Sequence, residues 1–188
     1  MDGEGGSELY ILPEMWNTGF DTSDRIRQLL STGNNALKWM QKNARERNCA
    51  IAGSVAVMEK NRIFNRFYLV KSDGSAVHYD KRHLFGIGGE DNTFTAGHER
   101  IVCELNSWRI LLLTCYDLRF PVFARNRNDY DMMICIASWP ESRQAVWQTL
   151  LKARAIENQC IVCGVNRTGC DPLCSYAGGS VIIDAYGR

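Results

Sequence analysis

The run Ile110-Leu111-Leu112-Leu113 is apolar without interruption, has the length and branching of a buried strand, and stops at Thr114-Cys115. The turn Tyr116-Asp117-Leu118-Arg119 follows, and Pro121 stands where a helix can begin, because proline suits a first helical turn and forbids a continuing strand. A buried strand followed directly by a helix start is the signature of an α/β sheet, whose carboxyl edge is where such sheets usually build sites. Cys115 falls on that edge, close to backbone N–H groups that favour a thiolate. A cysteine at this position is equally at home as an inert core residue, since free cysteine is among the most buried side chains.

Other segments repeat the pattern. Short strands are expected at residues 9–12, 50–57, 63–70, 76–79, 101–105, 108–114, 132–138, 160–165 and 179–184, with turns at Ser72-Asp73-Gly74-Ser75, Asn106-Ser107 and Asn166-Arg167-Thr168-Gly169. Residues 21–33 read as a helix capped by Ser23 or Asp24 and ended by Gly33. A second helix is expected over 35–47, a short one over 123–127, and a third long one over 144–158 with an apolar stripe of Val146, Leu150, Leu151, Ala153, Ala155 and Ile156. Residues 86–97 are too rich in glycine for an element and read as a loop able to arch over a site. Residues 185–188 read as the end of a strand. The order is α/β, with mixed strand connections and helices as covering layers.

Twenty-two basic residues against twenty-one acidic ones leave a net charge of +1, so no general field attracts nucleic acid or an anionic membrane. No apolar run approaches a membrane span, and Met1 to Glu8 lack the pattern of a secretory signal. The eight cysteines therefore read as reduced, cytoplasmic thiols. Cys160-x-x-Cys163 followed by Cys170-x-x-x-Cys174 superficially suggests zinc. The first pair lies on a strand, however, where residues three apart face opposite sides, so packing is preferred and no metal is expected.

Three polar residues mark strand ends. Glu14 follows Pro13, Lys81 follows the strand at 76–79, and Cys115 follows the central run. Alone, Glu14 reads as a solvated loop charge and Lys81 as an exposed, inert lysine. Their flanks change that reading. Leu12-Pro13-Glu14-Met15-Trp16-Asn17-Thr18-Gly19-Phe20, Tyr79-Asp80-Lys81-Arg82-His83-Leu84-Phe85 and Cys115-Tyr116-Asp117-Leu118-Arg119-Phe120-Pro121 resemble, in order and spacing, the motifs of the nitrilase superfamily of carbon–nitrogen hydrolases. The likeness continues through Phe94-Thr95-Ala96-Gly97, Ala137-Ser138-Trp139-Pro140, Gly164-Val165-Asn166-Arg167 and Gly179-Ser180. Within the superfamily, Met15-Trp16-Asn17-Thr18-Gly19-Phe20 and Ser138-Trp139-Pro140 look most like the omega-amidase branch.

The resemblance implies an α-β-β-α sandwich with mixed sheets, a small-molecule amide substrate, no cofactor and a homodimer or higher homo-oligomer. It implies Cys115 as nucleophile, Glu14 as general base, and Lys81 with the backbone N–H of Tyr116 as oxyanion partners. Glu90 would be a fourth polar residue orienting Lys81 or the amide, while Trp139 and Phe120 are candidates for the substrate wall. Another carbon–nitrogen hydrolase activity, on an aliphatic amide, a carbamoyl amide or a nitrile, is the alternative. Family members carry further elements before the position of Leu9 and beyond Arg188, so the expectation is a single domain shortened at both ends, with an inactive fragment as the competing reading.

Overall fold

Each of the long apolar runs becomes a strand. The computed structural model describes residues 7–23, 25–31 and 35–188. Its first sheet holds β1 (Leu9–Ile11), β2 (Ala50–Glu59), β3 (Arg62–Val70) and β4 (Ala76–Asp80), side by side in that order, with β1 parallel to β2 and the rest antiparallel. Between β1 and β2 run α1 (Arg25–Ser31) and α2 (Ala36–Arg47). The expected caps Asp24 and Gly33 lie outside the described residues.

Then come β5 (Val102–Leu105), β6 (Trp108–Thr114), α3 (Pro121–Ala124), β7 (Met132–Ala137), α4 (Gln144–Asn158), β8 (Ile161–Asn166), a hairpin of β9 (Thr168–Cys170) and β10 (Ser175–Ala177), and β11 (Val181–Ile183). The second sheet has the order β11-β8-β7-β6-β5, with β6, β7 and β8 parallel and both outer strands antiparallel to their neighbours.

The continuous apolar character of β6 follows from its place between two layers. Ile110 and Leu112 face inward and meet Ala52, Phe67, Leu69 and Tyr79 of the first sheet. Leu111 and Leu113 face outward and meet Trp147, Leu151 and Ala155 of α4. Successive side chains point to opposite faces, so a strand covered on both sides can show no alternation. On the far side of the first sheet, Met40 and Ala44 of α2 cover Ile51, Val55, Tyr68 and Val70. The layers are thus helix, sheet, sheet and helix, as the resemblance implied. Cys160 packs with the α4 layer and Cys163 with the layer between the sheets, on opposite faces as their spacing required.

Several local expectations are corrected. The stripe of α4 is Trp147, Leu151, Arg154, Ala155 and Asn158, with Ile156 half exposed, because tryptophan and two hydrogen-bonded polar residues fill the seam. Arg154 is buried because its guanidinium donates to the Leu118 carbonyl at 2.7 and 3.1 Å. The short helix begins at Pro121, not Phe123, and ends at Ala124. Residues 86–97 contain two 3-10 turns, Gly86–Gly88 and Glu90–Asn92. The supposed turn at 166–169 is split between the end of β8 and the start of the β9–β10 hairpin, and residues 185–188 form a turn closed by Asp184 rather than a strand. The turn Asn106-Ser107 does hold, with φ values of 46° and 69° that suit a tight hairpin.

One glycine fixes the approach of a loop to the site. Gly97 donates its N–H to the Lys81 carbonyl at 2.9 Å, and a Cβ built there collides with the Asp80 carbonyl. Backbone cannot yield as a side-chain tip can. Gly97→Ala is therefore expected to lose about 1–3 kcal/mol of stability, read from the denaturant midpoint; an unchanged midpoint would show that the loop can retreat.

Candidate active site

The site forms where carboxyl ends of strands from the two sheets meet. Beyond β1, Leu12 N–H continues the ladder to the Ala52 carbonyl, and the following loop is pinned to β2 by Met15 N–H on Ser54 Oγ at 3.0 Å and Trp16 N–H on the Ser54 carbonyl. Met15 adopts φ of 51° and Gly19 φ of 75°, which fold the loop back and turn Glu14 inward. Lys81 lies directly beyond β4, its N–H on the Asn65 carbonyl. Cys115, Ser138 and Asn166 stand at the ends of β6, β7 and β8.

Glu14, Lys81 and Glu90, all expected from the sequence, converge and are all buried. Lys81 Nζ lies 3.0 Å from Glu14 Oε1, and 3.0 and 2.8 Å from the two oxygens of Glu90. Ser138 N–H donates to Glu14 Oε2 at 2.8 Å, and Phe85 N–H to Glu90 Oε2 at 2.6 Å. Burial opposes the charge of Lys81, but the Glu14 and Glu90 carboxylates outweigh it and hold the ammonium well above the usual lysine range. Glu90 is pushed up by burial, against the pull of Lys81.

Cys115 is half-buried, with φ of 49°, at the start of a 3-10 turn over Cys115–Arg119. Burial, followed by the nearby Glu14 carboxylate, pushes its thiol well above the ordinary cysteine range despite Lys81. This corrects the expectation of a thiolate stabilised by the strand end. Glu14 is the carboxylate whose charge bears on that thiol most strongly.

The residue that fixes this elbow is not among the candidates expected from the sequence. Asp117 is buried, and its Oδ2 accepts Thr114 N–H at 2.9 Å and Tyr79 O–H at 2.7 Å. Its Oδ1 accepts His83 N–H at 2.9 Å and lies 2.8 Å from His83 Nδ1. One carboxylate thereby ties the Cys115 turn to the segment carrying Lys81. It stands as the one acid in a short turn between Tyr116 and Leu118, and only the fold reveals its partners.

Above Cys115 opens a pocket of about 100 Å³, lined among others by Lys81, Tyr116, Trp139, Arg119, Arg143 and Tyr176. That volume suits a small ligand. Trp139 lines the pocket, and so does Tyr116, which was expected through its backbone N–H, whereas Phe120 lies behind it, stacked on His83 with ring centroids 3.7 Å apart. Sequence reading missed Arg119 and Arg143. Arg119 lies over the Trp139 and Tyr116 rings at 5.2 and 5.9 Å, and Arg143 over Phe85 at 5.0 Å. Among the described residues neither has an ion pair with a carboxylate.

A thiol, a carboxylate and a buried ammonium on the joined edges of an α-β-β-α sandwich are the parts of a hydrolase that attacks an acyl carbon. The profile of the carbon-nitrogen hydrolase family matches residues 2–188, and the chain belongs to that family. It is 44% identical over 189 residues to Omega-amidase YafV of Escherichia coli strain K12, spanning 100% of this chain and 73% of the relative. It is 37% identical to the 2-oxoglutaramate amidase of Bacillus subtilis, covering 97% of this chain and 72% of that protein. Among solved structures, XC1258 from Xanthomonas campestris, a CN-hydrolase superfamily protein with an arsenic adduct in its active site, matches with a TM-score of 0.93 and 42% identity over 98% of this chain and 72% of the other. No helix among the described residues is long and apolar enough to cross a membrane.

Proposed function

We infer that this chain is an amidase acting on the terminal amide of 2-oxo dicarboxylic acid monoamides such as 2-oxoglutaramate and 2-oxosuccinamate. The observation that carries the reading is the pair Arg119 and Arg143 on a pocket whose floor is Cys115. Each guanidinium rests on aromatic rings and keeps its donors for a ligand. A substrate with an amide at one end and a carboxylate at the other fits that polarity, and the relatives named above support it.

In this reading Cys115 Sγ attacks the amide carbon while Glu14 takes the thiol proton. The oxyanion forms against Lys81 and the N–H of Tyr116, which belongs to a first helical turn whose amides lack acceptors within the helix. Glu14 returns the proton to the departing nitrogen, ammonia leaves, and a thioester remains on Cys115. Water, deprotonated by Glu14, then releases the acid and restores the thiol. Glu90, with both oxygens on Lys81, holds the ammonium in place. We take the enzyme as cytoplasmic, where its thiols stay reduced, and as a homodimer; exposed Val122 of α3 and Ile156 of α4 are apolar surface of the kind subunit contacts cover.

Arg119→Ala is expected to raise KM for 2-oxoglutaramate by about tenfold to a hundredfold, the worth of one charged hydrogen-bond partner. Rates on an uncharged aliphatic amide should stay within about twofold. Initial rates of Arg119→Ala and of the unaltered protein on the oxo-amide, an aliphatic amide, a carbamoyl amide and a nitrile decide the matter. Preference for an uncharged substrate in the unaltered protein would sink the carboxylate reading.

A further inference from the structure

Asn65, on β3, takes no part in the chemistry described above, yet it sits inside the charged cluster. Its backbone is held on both sides, opposite Ala56 of β2 and with its carbonyl on Lys81 N–H at 2.9 Å. Its Nδ2 donates to Glu14 Oε1 at 2.8 Å and to Glu90 Oε1 at 3.3 Å. Its Oδ1 is buried without a partner among the described residues. An amide with one end unsatisfied is an unfavourable choice for packing alone, where an apolar residue of the same shape would serve better. The bonded end therefore needs the explanation.

Glu14 and Glu90 are like charges that share a single cation. Each already binds Lys81 through Oε1, and Asn65 reaches the same two oxygens as a neutral second donor. With Ser138 N–H on Oε2, both oxygens of Glu14 are held, so its carboxylate plane cannot rotate. We propose that Asn65 is a positioning residue that bridges the two carboxylates and keeps Glu14 aimed and ready to accept the Cys115 proton. The inference rests on Glu14 being the base. It also implies that Asn65 acts on the rate of proton transfer and not on substrate binding, because it does not line the pocket.

The titratable groups around Glu14 are Lys81 beyond β4, Glu90 on its 3-10 turn, Cys115 at the end of β6 and Cys135 on β7. Asn65→Asp adds a third carboxylate to them and removes the donor; Asn65→Ala removes the donor alone. For both variants the measurements are kcat and KM on 2-oxoglutaramate, the pH dependence of Cys115 alkylation by iodoacetamide, and the thermal midpoint. The expected result is a kcat lower by about tenfold to a hundredfold with KM within about twofold. In Asn65→Asp the alkylation profile and the acid limb of kcat/KM should move up by about one pH unit, since added negative charge favours protonated carboxylates.

Alkylation needs no substrate, so it tests Asn65 even where the oxo-amide proves to be the wrong substrate. Folded variants with an unaltered alkylation profile and kcat would overturn the proposal. Should Asn65→Asp fail to fold, the alanine variant decides on the same alkylation rates.

Discussion

Cys115→Ala is expected to abolish ammonia release from 2-oxoglutaramate, by about 10⁴-fold or more, while leaving the fold in place. The size follows from the chemistry: an amide carbon is a poor electrophile, and the thiol is the group at the pocket floor that can form the covalent intermediate. The fold is spared because the lost sulfur faces a pocket, and the elbow is held by Asp117 through Thr114, Tyr79 and His83 instead. Cys115→Ser keeps a hydroxyl at the same place but should recover almost nothing, because serine is the weaker nucleophile and its hydroxyl is a far weaker acid than a thiol, harder for Glu14 to deprotonate. The measurements are ammonia released, thermal midpoint and the intact mass after acid quench. The unaltered protein should carry an added acyl mass that the alanine variant lacks. Ammonia release retained by Cys115→Ala would remove Cys115 from the chemistry.

Cys115, Glu14 and Lys81 were legible as candidates because each stands just past a strand, and a run that stops at a polar residue is a local pattern. The order of the three motifs then carried the family. Phe120 was misplaced because motif membership gives no direction for a side chain; its ring turned out to support His83. Trp147 was missed in α4 because Ile156 and Leu150 looked more apolar, although the helix is turned so that tryptophan meets Gly164 and Trp139. Asn65, Asp117 and the two arginines were invisible for a different reason. Each derives its meaning from partners distant in sequence, such as Glu14 for Asn65, fifty-one positions away. The direction of the Cys115 shift was hidden for the same reason, since burial and Glu14 are tertiary facts.

Lys81→Met should remove activity and, unlike Cys115→Ala, should also weaken the fold. Breaking a buried ion pair by deleting one partner typically costs about 3–5 kcal/mol, because the remaining charge is left without compensation. Here two carboxylates are left, Glu14 and Glu90, with Asn65 and backbone N–H groups as their remaining donors among the described residues. Those carboxylates would then hold protons in the native state that the unfolded chain releases. A native state that binds more protons than the unfolded one loses stability as pH rises. The deficit relative to the unaltered protein should therefore be larger at pH 8 than at pH 5, as read from denaturant midpoints at both. Adding Glu90→Gln to Lys81→Met removes one of the uncompensated charges and should restore part of the stability while restoring no turnover. Recovery of turnover in the double variant would mean that Lys81 serves only to neutralise its neighbours. Recovery of stability alone separates its two tasks, holding two buried carboxylates together and facing the oxyanion over Cys115.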